Sequence, residues 1–179
     1  LPAALGIVAP NGKDAMLGHA AQFRAAGVPF VFDPGQGLPM FDGEELRGIL
    51  EGAAAVAVND YESGLLAEKI GWDEAEISRR VGTLIVTRGA QGSEVWTSGR
   101  CERVAPVAIE RALDPTGCGD AYRGGLLYGA ALGWDWLACA RLGSVMGALK
   151  IEHQGAQNHA IDRETVARRH ALAYGHRPW

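Results

Sequence analysis

The sequence lacks the features that mark several large classes of protein. It has 17 Lys and Arg against 21 Asp and Glu, a formal net charge of −4, and no block of basic residues. Nucleic acid is therefore not expected as the main partner, because neutralising phosphates requires clustered cations. No apolar run is long enough to span a bilayer, and no membrane partner is expected. The first residues do not show the basic, apolar and small-residue order of a signal peptide. The three cysteines, Cys101, Cys118 and Cys139, are odd in number and widely spaced. That suggests neither a disulfide framework nor a zinc site, and it suits a reducing cytoplasm. His19, His153, His170 and His176 show no metal-ligand spacing. There is no internal repeat, low-complexity tract or long linker.

What is present is ordinary for a globular protein: 179 residues, 47% apolar and 21% charged, enough for one domain with a sizeable core. The chain opens on Leu1-Pro2 rather than Met and enters an apolar run almost at once. The expectation is that further residues precede it in the full protein, or that a second chain supplies them.

Apolar runs over 5–9, 28–32, 54–58 and 84–87 read as buried strands. Between them, helices are expected over 14–26, 43–52, from about 60 to 70, and 73–80, with Gly27 as a stop and Asp73 as a cap. Asp33-Pro34-Gly35-Gln36-Gly37 reads as a loop at a strand end. Two strands over 93–97 and 101–107 are joined by the turn Ser98-Gly99-Arg100. Helices follow to about 132, over 134–151 and over 162–173, the last capped by Asp162. Strands alternating with helices imply a mostly parallel sheet covered on both faces, with ligands beyond the carboxyl ends of its strands. Asp33, Asn59, Glu62, Thr87 and Gly89 fall at such ends.

The stretch that organises the rest is Asp114-Pro115-Thr116-Gly117-Cys118-Gly119-Asp120, running into Ala121-Tyr122-Arg123-Gly124-Gly125. Glycines allow close approach of backbone to a ligand. The start of the following helix offers unpaired N–H groups and the positive end of its dipole. Together they make an anion site with a carboxylate beside it. Gly117, Cys118 and Gly119 would present N–H groups to a transferred phosphoryl group, and Asp120 could act as general base toward a hydroxyl. Alone, the same residues also fit a Gly-rich turn with a capping aspartate. Arg123, one turn on, could steady phosphate or pair with a carboxylate.

Three motifs in order carry a resemblance. DPTGCGDAYRGG is similar to the signature D-T-x-G-A-G-D followed by A-F-x-x-G of the ribokinase-like (PfkB) carbohydrate kinases, with Cys118 in place of Ala. Asn59-Asp60-Tyr61-Glu62 matches the family's N-x-x-E, and Thr87-Arg88-Gly89-Ala90-Gln91-Gly92 its T-x-G-x-x-G. Each of these two arises often by chance and alone would read as a helix cap or a turn; three in the right order make a strong signal. The chain resembles the family's C-terminal half. The stretches NDYE, EKIGW and LGSVMGALKIEHQGAQ, with Asp33-Pro34-Gly35-Gln36, are similar to the bacterial adenosine kinases within it.

The resemblance implies an α/β, three-layer αβα fold with a mostly parallel sheet, lacking the N-terminal half and lid. The whole of 1–179 would be the C-terminal part of one kinase domain. It implies an ATP-dependent kinase acting on a primary hydroxyl of a ribose-containing substrate, adenosine first, with a sugar kinase or a non-catalytic nucleotide-binding fragment as alternatives. Asp120 would be the base, and Gly117, Cys118 and Gly119 the anion hole. Asn59, Thr87, Gly89, Gly92 and Gln157 would meet nucleotide, and Glu62 would organise Mg²⁺ through water. Asp114, the Thr116 carbonyl and carbonyls over 154–157 would hold a monovalent cation such as K⁺. His159, standing where a family serine belongs, is a poor K⁺ ligand and reads as an exposed loop residue. Lys13, Lys69 and Lys150 are expected to be solvated, and Trp72, Trp134 and Trp136 to be packing anchors. The partners implied are a nucleoside or sugar and the chain's own N-terminal half, with a homodimer as a further candidate.

Overall fold

In the computed structural model, which describes residues 4–179, the elements alternate as the apolar periodicity requires. The strands are β1 (Gly6–Val8), β2 (Phe30–Phe32), β3 (Ala55–Asn59), β4 (Thr83–Thr87), β5 (Ser93–Thr97) and β6 (Arg100–Val104). The helices are α1 (Lys13–Ala25), α2 (Gly43–Leu50), α3 (Asp60–Ile70), α4 (Glu74–Val81), α5 (Cys118–Ala131), α6 (Trp136–Ile151) and α7 (Arg163–Tyr174). Leu1-Pro2 lies outside the described residues. No helix among the described residues is long and apolar enough to cross a membrane.

The six strands form one mixed, mostly parallel sheet in the order β1-β2-β3-β4-β5-β6. The first four pair in parallel, with Ile7 opposite Val31, Val31 opposite Ala55, and Asn59 opposite Thr87. Parallel strands need crossovers, and here helices supply them. Because such crossovers are right-handed, a sheet whose strands follow chain order carries its connecting helices on one face. Phe30, Phe32, Val56, Val58, Leu84 and Val86 belong to a single core with Met16, Leu46, Leu50, Leu66 and Ile77 from those helices. The alternate strand residues Val31, Ala55, Ala57 and Ile85 are also buried, which is why these strands read as unbroken apolar runs.

The chain divides into two compact units, Leu1–Arg88 with Glu94–Glu102, and Gly89–Ser93 with Arg103–Trp179. The second has its own core of Leu142, Val145, Leu149 and Val166, packed with Trp134, Met146 and Tyr174. In it α5 and α6 approach at backbone contact. A Cβ on Gly125 would lie 2.9 Å from the Gly143 backbone, and one on Gly143 would lie 2.8 Å from the Tyr122 carbonyl. Gly125 on α5 and Gly143 on α6 are the residues that allow this approach.

Several local expectations are corrected. The segment after Asp33 is a 3-10 turn over Gly35–Met40 rather than open loop. The strand expected over 101–107 is β6, which ends at Val104. Lys150 is fully buried, and Lys69 donates to the Phe41 carbonyl at 2.8 Å; both deliver their ammonium groups to backbone carbonyls. His159 is half-buried with its ring beside His153, and its buried Nδ1 has no partner among the described residues.

Candidate active site

The first unit contributes the ends of β3 and β4. Asn59 closes β3 and is also the N-cap of α3. Its Oδ1 accepts from the Glu62 N–H at 2.7 Å, while the Asn59 N–H donates to Glu62 Oε2 at 2.9 Å. N-x-x-E is thus folded as a capping box, two helix-start donors satisfied reciprocally. The box fixes the Glu62 carboxylate at the positive end of α3, with one oxygen committed to the cap. Thr87, the register partner of Asn59 on β4, is half-buried and donates from its hydroxyl to the Val58 carbonyl at 3.4 Å. No group of three His, Cys, Asp or Glu among the described residues is placed to hold a metal ion by itself.

The second unit contributes the glycine loop and its surroundings. Gly117 is the N-cap of α5, at φ 81 and ψ 3, with no side-chain cap bond. A Cβ there would also lie 3.0 Å from the Ala156 carbonyl, so both conformation and space require glycine. Asp120 lies in the first helical turn and is exposed. The cap position belongs to Gly117, so Asp120 is not the capping residue, and its carboxylate faces solvent at the helix start. Cys118 departs from expectation in one respect. Its N–H donates to the Pro115 carbonyl at 3.1 Å, closing a turn. The N–H groups that helix geometry leaves over for an anion are those of Gly117, Gly119 and Asp120. Burial pushes the Cys118 thiol pKa upward, so the sulfur stays neutral. Arg123, one turn on in α5, has Nη1 3.4 Å from where a Gly119 Cβ would sit.

Asp114 anchors this loop. Oδ1 accepts from the Thr116 N–H at 2.8 Å, and Oδ2 accepts from the Gly155 N–H at 2.8 Å and Gln154 Nε2 at 3.1 Å. These donors, the Thr116 N–H foremost, hold its pKa down at about 2, with the charge on Lys150 adding to the effect. Lys150 Nζ donates to the Asp114 carbonyl at 2.7 Å and the His153 carbonyl at 3.1 Å. Gln157 is exposed in the same 152–159 loop. Gly89 and Gly92 both have positive φ, 53° and 89°. A Cβ on Gly92 would lie 2.1 Å from the Val104 carbonyl, so glycine is obligatory there.

Asp114, Thr116, Gly117, Cys118, Gly119, Asp120 and Arg123 therefore form one constellation on the second unit, and Asn59, Glu62 and Thr87 form another on the first. Sequence reasoning missed Lys150 as part of the former. The available signal was a lone lysine inside the apolar run VMGALKI.

The pfkB family carbohydrate kinase profile matches residues 3–163. Among solved structures, the nucleoside kinase of Burkholderia thailandensis in complex with inosine superposes with a TM-score of 0.94 at 51% identity, covering 98% of this chain and 59% of that one. The same enzyme is also known in complex with ADP and inosine. A nucleoside kinase of Methanocaldococcus jannaschii is 30% identical over 77% of this chain and 46% of its own length. The adenosine kinase of Sinorhizobium meliloti gives a TM-score of 0.74 at 25% identity, over 90% of this chain and 50% of that one. The chain thus spans about half the length of the curated relative it matches.

Proposed function

The chain belongs to the pfkB family of carbohydrate kinases, and on that footing we propose that it is the C-terminal part of an ATP-dependent nucleoside kinase. The observation that carries the reading is Asp120, exposed in the first turn of α5 behind a glycine N-cap held at positive φ. A carboxylate so placed can take the proton of an acceptor hydroxyl as its oxygen attacks the γ-phosphorus. The bond from that phosphorus to the β–γ bridging oxygen breaks, and ADP leaves. The first-turn N–H groups of α5 face the charge that develops on the transferred group. Arg123, whose Nη1 lies close to Gly119, adds positive charge at the same place. Phosphoryl transfer needs little more from a protein than positioning and charge stabilisation.

On the first unit, Asn59 and Thr87 lie at paired strand ends, where nucleotides bind in sheets of this kind, and Gly89 and Gly92 open the turn that follows β4. Glu62, with one oxygen committed to the capping box, fits Mg²⁺ held mainly by phosphates and reached through water; when bound, the ion would neutralise charge on the triphosphate. The likeness to nucleoside kinases, one of them bound to inosine, supports nucleosides as the substrate class, with adenosine, giving AMP, as one member. The acceptor's remaining contacts would come from an N-terminal half such as the relatives carry, and 1–179 would be the C-terminal part of that single kinase domain.

The test supplies the chain with that half and measures ADP release with adenosine, inosine and ribose. Turnover with the nucleosides and little with ribose is expected; turnover with ribose alone would sink the nucleoside assignment. Asp120→Asn should lower turnover by roughly 10²–10⁴-fold while calorimetry finds ATP binding retained. Undiminished turnover would remove Asp120 from the base role.

A further inference from the structure

We propose that the side chain of Lys150 is a built-in cation for the Asp114 loop, held beside the place where a bound monovalent cation was expected, so that the protein needs no K⁺ there. Lys150 is 0% exposed, although lysine is among the residues least often fully buried. It lies in the last turn of α6, and its Nζ donates to the Asp114 carbonyl at 2.7 Å and the His153 carbonyl at 3.1 Å. The first of these carbonyls belongs to Asp114 and the second directly precedes the 154–157 stretch, so the ammonium group ties together the two segments that a bound cation would bridge, through oxygens next to the expected ligands. An ammonium group offers three N–H donors and one positive charge. A K⁺ ion offers the same charge to the same kind of oxygen, at similar distances, without a covalent tether.

The rest of the donor set agrees. Both carboxylate oxygens of Asp114 face N–H donors, from Thr116 on one side and from Gly155 and Gln154 on the other. The charge of Lys150 contributes to holding Asp114 ionised. A second cation held by the same two segments would be repelled by the ammonium group already there. His159, at the position of the expected side-chain ligand, offers a ring nitrogen rather than an oxygen. The residues therefore do not fit an added monovalent cation, and the chain supplies its own. Lys150 is on this account a positioning residue. It fixes the Asp114 carbonyl against the 152–159 loop, and through Asp114 and the Thr116 N–H it fixes the turn from which α5 and Asp120 begin.

The inference rests on the kinase reading only in its activity arm. The experiment uses the chain together with its N-terminal half and compares potassium chloride with tetramethylammonium chloride at equal ionic strength. For the natural sequence, melting temperature and turnover should be the same in both salts. Lys150→Met keeps the buried stem and removes the charge; Lys150→Ala in addition leaves room for an ion and its water. Both should melt lower in tetramethylammonium, and Lys150→Ala should recover melting temperature and turnover in K⁺. The proposal is overturned if the natural sequence melts higher or turns over faster in K⁺, or if Lys150→Ala behaves alike in the two salts. Should neither variant fold, the natural sequence decides by the same comparison. If no nucleoside is phosphorylated at all, the kinase reading fails while the melting comparison still tests the cation.

Discussion

Asn59 and Glu62 hold each other: each donates its backbone N–H to the other's side chain, at 2.9 and 2.7 Å. The motif caps α3, and substitutions can separate that cap from the proposed role of Glu62 at the nucleotide. Asn59→Ala removes the cap and should cost about 1 kcal/mol of stability. Glu62→Gln keeps an acceptor for the Asn59 N–H and loses only the favourable charge at the helix start, about 0.3–1 kcal/mol. Its effect on turnover should be far larger than that loss explains. Urea denaturation and nucleoside-dependent ADP release, measured on both variants, check the separation. Normal turnover in Glu62→Gln would leave Glu62 as a cap and nothing more.

Two glycines of α6 should respond in opposite directions. On Gly143 a Cβ would sit 2.8 Å from the Tyr122 carbonyl, a backbone atom that cannot swing aside. Gly143→Ala should therefore destabilise by about 1–3 kcal/mol, as overpacking does. At Gly147 the nearest atom would be the Cys118 carbonyl at 3.5 Å, an ordinary contact. There alanine only restricts the unfolded chain and should stabilise by up to about 1 kcal/mol. Denaturant midpoints of the two variants, at unchanged slope, test the helix contact directly.

Asp114 gives the acid limb a defined contribution. Its folded pKa is about 2 against an ordinary 3.8, so its contribution is fully present above 3.8 and is lost as pH falls through about 2. Asp114→Asn should flatten stability against pH across that interval. Equal acid slopes in the natural sequence and the variant would show that the hydrogen bonds from Thr116 and Gly155 do not favour the ionised form.

β1 is an edge strand of the sheet. Tyr61, Leu132 and Leu172 are large apolar side chains 74%, 55% and 75% exposed. An unpaired strand edge invites association, and so do large exposed apolar side chains. The isolated chain should therefore sediment as mixed or self-associated species and become homogeneous when the N-terminal half is supplied. A clean monomer of the isolated chain would count against that pairing.

Much of this was legible because its causes are local. Asp73 and Asp162 were read as caps from residue type and position, and each accepts from the N–H three residues on. The runs FVF and AVAV announced doubly buried strands because both of their faces are covered. What escaped has a distant cause. Lys150 looks solvated in sequence because its partner, the Asp114 carbonyl, is 36 residues away. The engagement of the Cys118 N–H by Pro115 depends on how Pro115 and Thr116 turn into the glycine, which motif spacing does not record. The 3-10 turn over Gly35–Met40 carries Pro39 inside it, a residue that on its own argues for loop.

Strand order and chain order coincide across the sheet, from β1 to β6. A growing polypeptide thus never has to wait for a later strand to be threaded between two earlier ones. Each parallel strand finds its neighbour already made, across one helical connection, of two helices between β3 and β4, and the entropy of closing each loop stays small. Contacts of short sequence separation favour rapid folding. Asn59, Glu62 and Thr87 accordingly precede the glycine loop and Asp120 in the order of synthesis. The proposed nucleotide side of the site is made first, and the proposed base follows it.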